Sequence, residues 1–293
     1  MSSFTTPETN SPKQEITVTF QKPVAPPNVW DRSLGFAITN FINKVGVVTE
    51  LEIRKLRHDP SQLITRAVQP TLWLLIFGQV FTRIRAIPTE NISYLDFMTP
   101  GILAQSILFM AIFNGLSVIW ERDLGILHKL MVSPTPRVAI VVGKAIAAGV
   151  RSLSQAVLVY LLAFLLGVQI DWHPFALVGV LLAIFLGSAL FSTLSLIVAC
   201  LVKTHEGFMG IGQLMTMPLF FASNAIYPIE IMPRWLQVVS YINPLTYLVD
   251  ALRTLMIVGT TSNYSIALDF AILLAIATLL SLVCGRLYTR LVV

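Results

Sequence analysis

Charge is scarce in this sequence: 12% of its 293 residues are Asp, Glu, Lys or Arg, where soluble domains carry about a quarter. With 55% hydrophobic residues and a mean hydropathy of +0.77, that shortage excludes a water-soluble fold. Cysteine is scarcer still. Cys200 and Cys284 sit at the ends of apolar runs, with neither CxxC spacing nor a histidine cluster nearby, and read as small packing residues. The first 30 residues lack any apolar run resembling a signal-peptide core, and Pro7, Pro12, Pro23, Pro26 and Pro27 punctuate a Ser/Thr-rich stretch. Residues 1–37 are expected to form a disordered arm that stays in the cytoplasm.

Reactive constellations are missing as well. A phosphate-cradling loop needs the form GxxxxGK[ST]. The nearest fragment, Gly143-Lys144-Ala145, lacks both the earlier glycine and the hydroxyl that would hold magnesium. A nucleotide, if one drives this protein, is hydrolysed on another chain, and no metal or cofactor is expected on this one. Ion-coupled carriers place carboxylates or histidines at mid-membrane. Here Asp96, Asp171, Asp250 and Asp269 fall at span ends or in a polar segment, and His58, His128, His173 and His205 at span boundaries. Proton or sodium coupling keeps only a remnant of support, in Lys144 and Arg151. The absence of HxxxH, of Gly-x-Ser-x-Gly and of any convincing carboxylate pair argues against a membrane hydrolase or transferase.

What is abundant is apolar sequence in lengths of roughly 20 residues, the requirement for one bilayer crossing. Spans are expected at about 63–81, 97–119, 138–166, 175–201, 207–225 and 266–285. The expected fold is an all-α membrane protein with six transmembrane helices in one domain, 38–293. Residues 38–57 place Ile38, Phe41, Ile42, Val45, Val48 and Leu51 three or four apart, with Glu50, Glu52, Arg54 and Lys55 between or beyond them. That pattern predicts an amphipathic helix lying along the inner interface. Between the last two spans, residues 226–259 mix prolines and aromatics, which suits short outer helices or a re-entrant piece.

The formal charge of +5 is read as topology rather than nucleic-acid binding, because the basic residues flank apolar runs. With the amino terminus inside, Arg54, Lys55, Arg57, Arg122, Lys129, Arg137, Lys203, Arg286 and Arg290 face the cytoplasm, and Arg83, Arg85, Arg234 and Arg253 stay outside. Both termini are then cytoplasmic, in a multi-pass protein of the cell (inner or plasma) membrane.

The loop after the second span is the most informative. It opens Glu121-Arg122-Asp123-Leu124-Gly125, places Ile126, Leu127, Leu130 and Met131 on one face, and closes with Ser133-Pro134-Thr135-Pro136. A short amphipathic helix under the membrane is expected, able to seat apolar anchors in a partner's groove or to rest on lipid headgroups. This loop, with Arg137, Gly143-Lys144, Pro233-Arg234-Trp235-Leu236 and Asn243-Pro244-Leu245-Thr246-Tyr247, resembles the permease subunits of ABC-2 type exporters, which move drugs, lipids or polysaccharides.

The resemblance implies roles. Glu121, Arg122, Asp123, Gly125, Leu127 and Leu130 would couple the chain to a separate nucleotide-binding ATPase subunit, which would carry ATP and magnesium. Glu50, Glu52, Arg54 and Lys55 would belong to the interface helix, and Pro233, Trp235, Asn243, Pro244 and Tyr247 to an outer gate. Substrate would pass between two membrane domains, a homodimer or a pair with a related permease, along Gln69, Gln105, Asn114, Gln213, Met217 and Phe220. Membrane lipid is the further expected partner, and no nucleic acid is. The rival reading is a secondary carrier or channel without an ATPase.

Overall fold

The computed structural model describes residues 42–51, 54, 68–84, 92–125, 137–202, 204–260 and 262–287. The arm 1–37, Glu52, Lys55, Leu127 and Leu130 lie outside the described residues. Helices run in the order α1 (42–51), α2 (68–84), α3 (Tyr94–Asp123), α4 (Arg137–Leu165), α5 (Pro174–Leu201), α6 (His205–Phe221), α7 (Arg234–Ile242), α8 (Pro244–Met256) and α9 (Ile266–Leu287). Among the described residues there is no strand beyond a single antiparallel bridge between Ile170 and Ile257.

Local chemistry places several of these starts. Ser93 and Asp96 form a reciprocal capping box at α3, each side chain accepting from the other's backbone N–H. Thr204 accepts from the Gly207 amide at α6, and Pro174 and Pro244 occupy the first turns of α5 and α8, where no intrahelical donor is lost. Within α2, Trp73–Gly78 is wound as a π-helix.

Among the described residues, four helices, α3, α4, α5 and α9, are long and apolar enough to cross a membrane. α2 and α6 stand where the first and fifth spans were expected. α6 has 17 residues, about 25 Å of helix, and ends at Phe221 rather than near Ala225.

The core is built around α3, whose most apolar stretch is 78% buried, against 17% for α9. α3 is flanked by α4, α5, α6 and α8. Close approach depends on small residues: a Cβ on Gly101 would strike the Ala225 carbonyl, and one on Gly115 would strike Ser195 Oγ. Ser195 uses that proximity, accepting from the Gly115 N–H at 3.1 Å and donating to the Ile112 carbonyl at 2.5 Å.

Candidate coupling and gate sites

At one end of the bundle, α3 stops because Gly125 takes a left-handed backbone, φ +69°. Three charged side chains of α3, Glu121, Arg122 and Asp123, crowd this terminus. Lys144 on α4 donates to Glu121 at 2.8 Å, with Lys144 1% exposed and Glu121 5%. Glu121, expected on a surface that meets a partner, instead points into the bundle, because a cation one helix away lies within reach. Arg122 and Asp123 remain at the surface, Arg122 Nε to Asp123 Oδ1 3.2 Å. Asp123 also reaches His205 Nε2 at 2.9 Å, and the His205 ring lies 4.5 Å from that of Trp120. The terminus of α3 is thereby joined to α4 by a buried pair and to α6 by an exposed one. Sequence reasoning missed His205, since nothing local ties it to a carboxylate on another helix.

α1 meets this same end. Val45 and Val48 are buried, Val48 packs where a side chain on Gly143 would be, and Thr49 Oγ1 donates to the Gly143 carbonyl at 3.2 Å. Glu50 and Arg54 face away from the bundle and pair with each other at 2.7 Å.

Deeper in, Gln69 and Gln105 line one cavity of about 210 Å³ with Ser106, Phe109, Phe113 and Gln155. Gln155 on α4 lies outside the expected path, which follows other spans; an amide inside an apolar run is its signal in the sequence. Asn114 departs from expectation. It is buried, donates to Ser192 Oγ at 2.7 Å and accepts from Arg151 at 3.3 Å, so it ties α3 to α5 and α4. Phe220 is likewise a core residue. Gln213 and Met217 lie on an exposed face of α6 with Leu214 and Phe221.

At the opposite end, α6 breaks, and side chains from several elements take the carbonyls of its last turn and of the segment that follows. Asn243 donates to Leu219 O at 2.7 Å, Ser223 to Phe220 O at 2.7 Å, Tyr227 to Phe221 O, Arg253 to Asn224 O at 2.7 Å and Tyr94 to Ile226 O at 3.1 Å. Asn243 also caps α8, its Oδ1 accepting from the Leu245 amide at 3.0 Å. Arg253 is buried, with its guanidinium 3.8 Å from the Phe97 ring centroid. Burial lowers its pKa to about 10, against the raising influence of Asp250 and Glu230, and it stays charged at neutral pH. Of the expected gate residues, Asn243, Pro244 and Tyr247 join this arrangement, Tyr247 donating to Tyr241 O at 2.6 Å. Pro233 precedes α7, and Trp235 is 69% exposed.

Long apolar helices joined by buried polar cross-links define an all-helical membrane protein. The family comparison narrows the class: residues 43–257 match the ABC-2 type transporter family, and the chain belongs to it. It is similar to ycf38 of Cyanophora paradoxa, described as a transport permease, at 33% identity over 73% of this chain and 74% of the relative. The daunorubicin resistance ABC transporter permease protein DrrB1 of Streptomyces coeruleorubidus is 26% identical over 79% and 81%. The inner membrane transport permease YadH of Escherichia coli K12 is 24% identical over 78% and 87%.

Proposed function

We propose that this permease subunit works as half of an ATP-driven exporter, carrying a drug-like, lipid or lipid-linked substrate out of the cytoplasm. ATP and magnesium sit on a separate nucleotide-binding subunit. That subunit docks at Arg122, Asp123, Gly125, Leu127 and Leu130, with the 38–57 helix beside it. α2 and α6 complete six crossings, so that both termini are cytoplasmic and α7 and α8 form the outer gate.

The observation that carries this reading is the double attachment of the α3 terminus. The residues leading into the amphipathic loop are fastened to α4 and α6, so a push on that loop moves three helices together. The named resistance function of DrrB1 supports outward transport.

A second copy of this chain, or a related permease, covers α2 and α6. Their exposed faces carry Gln69, Gln79 and Gln213 among Leu72, Ile76, Leu214 and Met217. Amides facing hydrocarbon lack hydrogen-bond partners, whereas a protein neighbour supplies them. Substrate passes along that seam, past Gln69 and Gln105.

The test is reconstitution of the chain with its ATPase in proteoliposomes. ATP-dependent movement of a hydrophobic cargo away from the ATPase side supports the proposal. Transport by the chain alone, driven by an ion gradient without nucleotide, contradicts it.

A further inference from the structure

The fold creates a carboxylate pair where the sequence showed no convincing one. Asp250 on α8 and Asp269 in the first turn of α9 are 1% and 0% exposed, and one hydroxyl lies between their carboxyl groups. Ser262, in the connection between those helices, lies 2.8 Å from Asp250 Oδ2 and 3.4 Å from Asp269 Oδ2. One hydroxyl carries one hydrogen and can serve only one of them fully. Asp250 has the better share, because its Oδ2 also accepts from the Asn263 N–H at 3.0 Å. Asp269 Oδ1 is buried with no hydrogen-bond partner.

No basic side chain forms an ion pair with either carboxylate among the described residues. Arg253, next in charge to Asp250, directs its guanidinium to Phe97 O and Asn224 O. Other ionisable groups nearby are the phenols of Tyr241 on α7, Tyr247 on α8 and Tyr264 in the connection, whose rings touch at 5.3 and 6.4 Å. Glu230 acts on Arg253 from the turn before α7. α5 has no Asp, Glu, Lys, Arg or His from Pro174 to Leu201. On α3, Asp96 is held by the Ser93 and Gln169 amides. On α4, Lys144 is paired with Glu121 at the far end of the bundle and Arg151 reaches Asn114.

Two buried ionised carboxylates are disfavoured where Asp250 takes both the Ser262 hydroxyl and the Asn263 N–H and Asp269 is left without a full donor of its own. We propose that Asp250 and Asp269 form a proton-binding site that holds one proton, carried on Asp269, and that this proton clasps α8 to α9 beside Ser262 and Asn263. Protonated Asp269 supplies the missing hydrogen and donates it to Asp250. Loss of the proton sets like charges against each other and opens the joint beside α7 and α8.

The pH sign follows. In the unfolded chain a carboxyl loses its proton near pH ~4, whereas the folded pair keeps one. Above that pH, while the site keeps its proton, the folded protein binds one more than the unfolded chain, so stability falls as pH rises.

Infrared spectroscopy of the purified chain, at neutral pH in ester-free detergent, tests the site without any transport assay. The expected result is a carbonyl band of a buried protonated carboxylic acid in wild type, abolished in Asp269→Asn. Thermal unfolding should show a midpoint that falls with rising pH in wild type and falls less in Asp269→Asn, whose amide carries permanent hydrogens. Asp250→Asn provides the same comparison should Asp269→Asn not fold. Absence of the band in wild type, or its persistence in the substituted protein together with an unchanged pH slope, overturns the proposal.

Discussion

Lys144 reaches from the first half of α4 to the last turn of α3 and sets its Nζ 2.8 Å from Glu121 Oε2, both side chains closed to solvent. A buried pair of this kind adds little net stability, but loss of one partner takes away the other's counter-charge inside the bundle. Glu121→Leu or Lys144→Met alone should therefore destabilise the chain by about 3–5 kcal/mol. The double substitution should recover most of that, and thermal unfolding in detergent reads the difference. Equal losses in single and double variants would mean that the charges do not depend on each other.

Asn243 holds two helices at once, capping α8 and donating to the Leu219 carbonyl. Asn243→Ala removes a cap worth about 1 kcal/mol and leaves a carbonyl short of a partner at a further ~1–3 kcal/mol. Hydrogen exchange should accelerate in the first turn of α8 and the last turn of α6, while α4 keeps its protection.

Two glycines in apolar helices should respond oppositely to one methyl group. Gly115→Ala drives a Cβ into Ser195 Oγ and should destabilise by about 1–3 kcal/mol. Gly210, with nothing within 4 Å of its would-be Cβ, should accept alanine and gain up to ~1 kcal/mol from helix propensity. The paired unfolding midpoints check the packing of α3 on α5.

Gln213 and Met217 share the exposed face assigned to the contact between two membrane domains. Gln213→Cys should form an intermolecular disulfide in native membranes under mild oxidation. Val178→Cys, on an exposed position of α5, should not. Cross-linking at Val178 in place of Gln213 would move the dimer seam.

Much of this fold is written locally. Ser93 with Asp96, and Asn243 before Pro244, are helix-start chemistry within four residues, and the apolar lengths of α3, α4, α5 and α9 are legible from composition alone. The end of α6 is not. Its apolar run continues to Ala225, but the helix breaks at Phe221, where Asn243 takes the Leu219 carbonyl and Arg253 and Tyr94 take those of Asn224 and Ile226 just beyond. Periodicity likewise put Glu121 at the mouth of a polar loop without showing that Lys144 waits on another helix. The same limit hid the Asp250 and Asp269 pair, joined only when α8 packs on α9. Gln69 and Gln105 stand among the six path residues that the resemblance implies, but Gln155 enters only through the cavity that all three line.

Substrate-stimulated ATP hydrolysis by the assembled complex tests the central claim most directly, with Leu127→Asp and Leu130→Asp placed in the amphipathic loop after α3. Stimulation should vanish while membrane insertion is unaffected, because charged residues there cannot seat in an ATPase groove. Stimulation equal to wild type in both variants would contradict the assignment of this loop as the point where the motor's work enters the membrane.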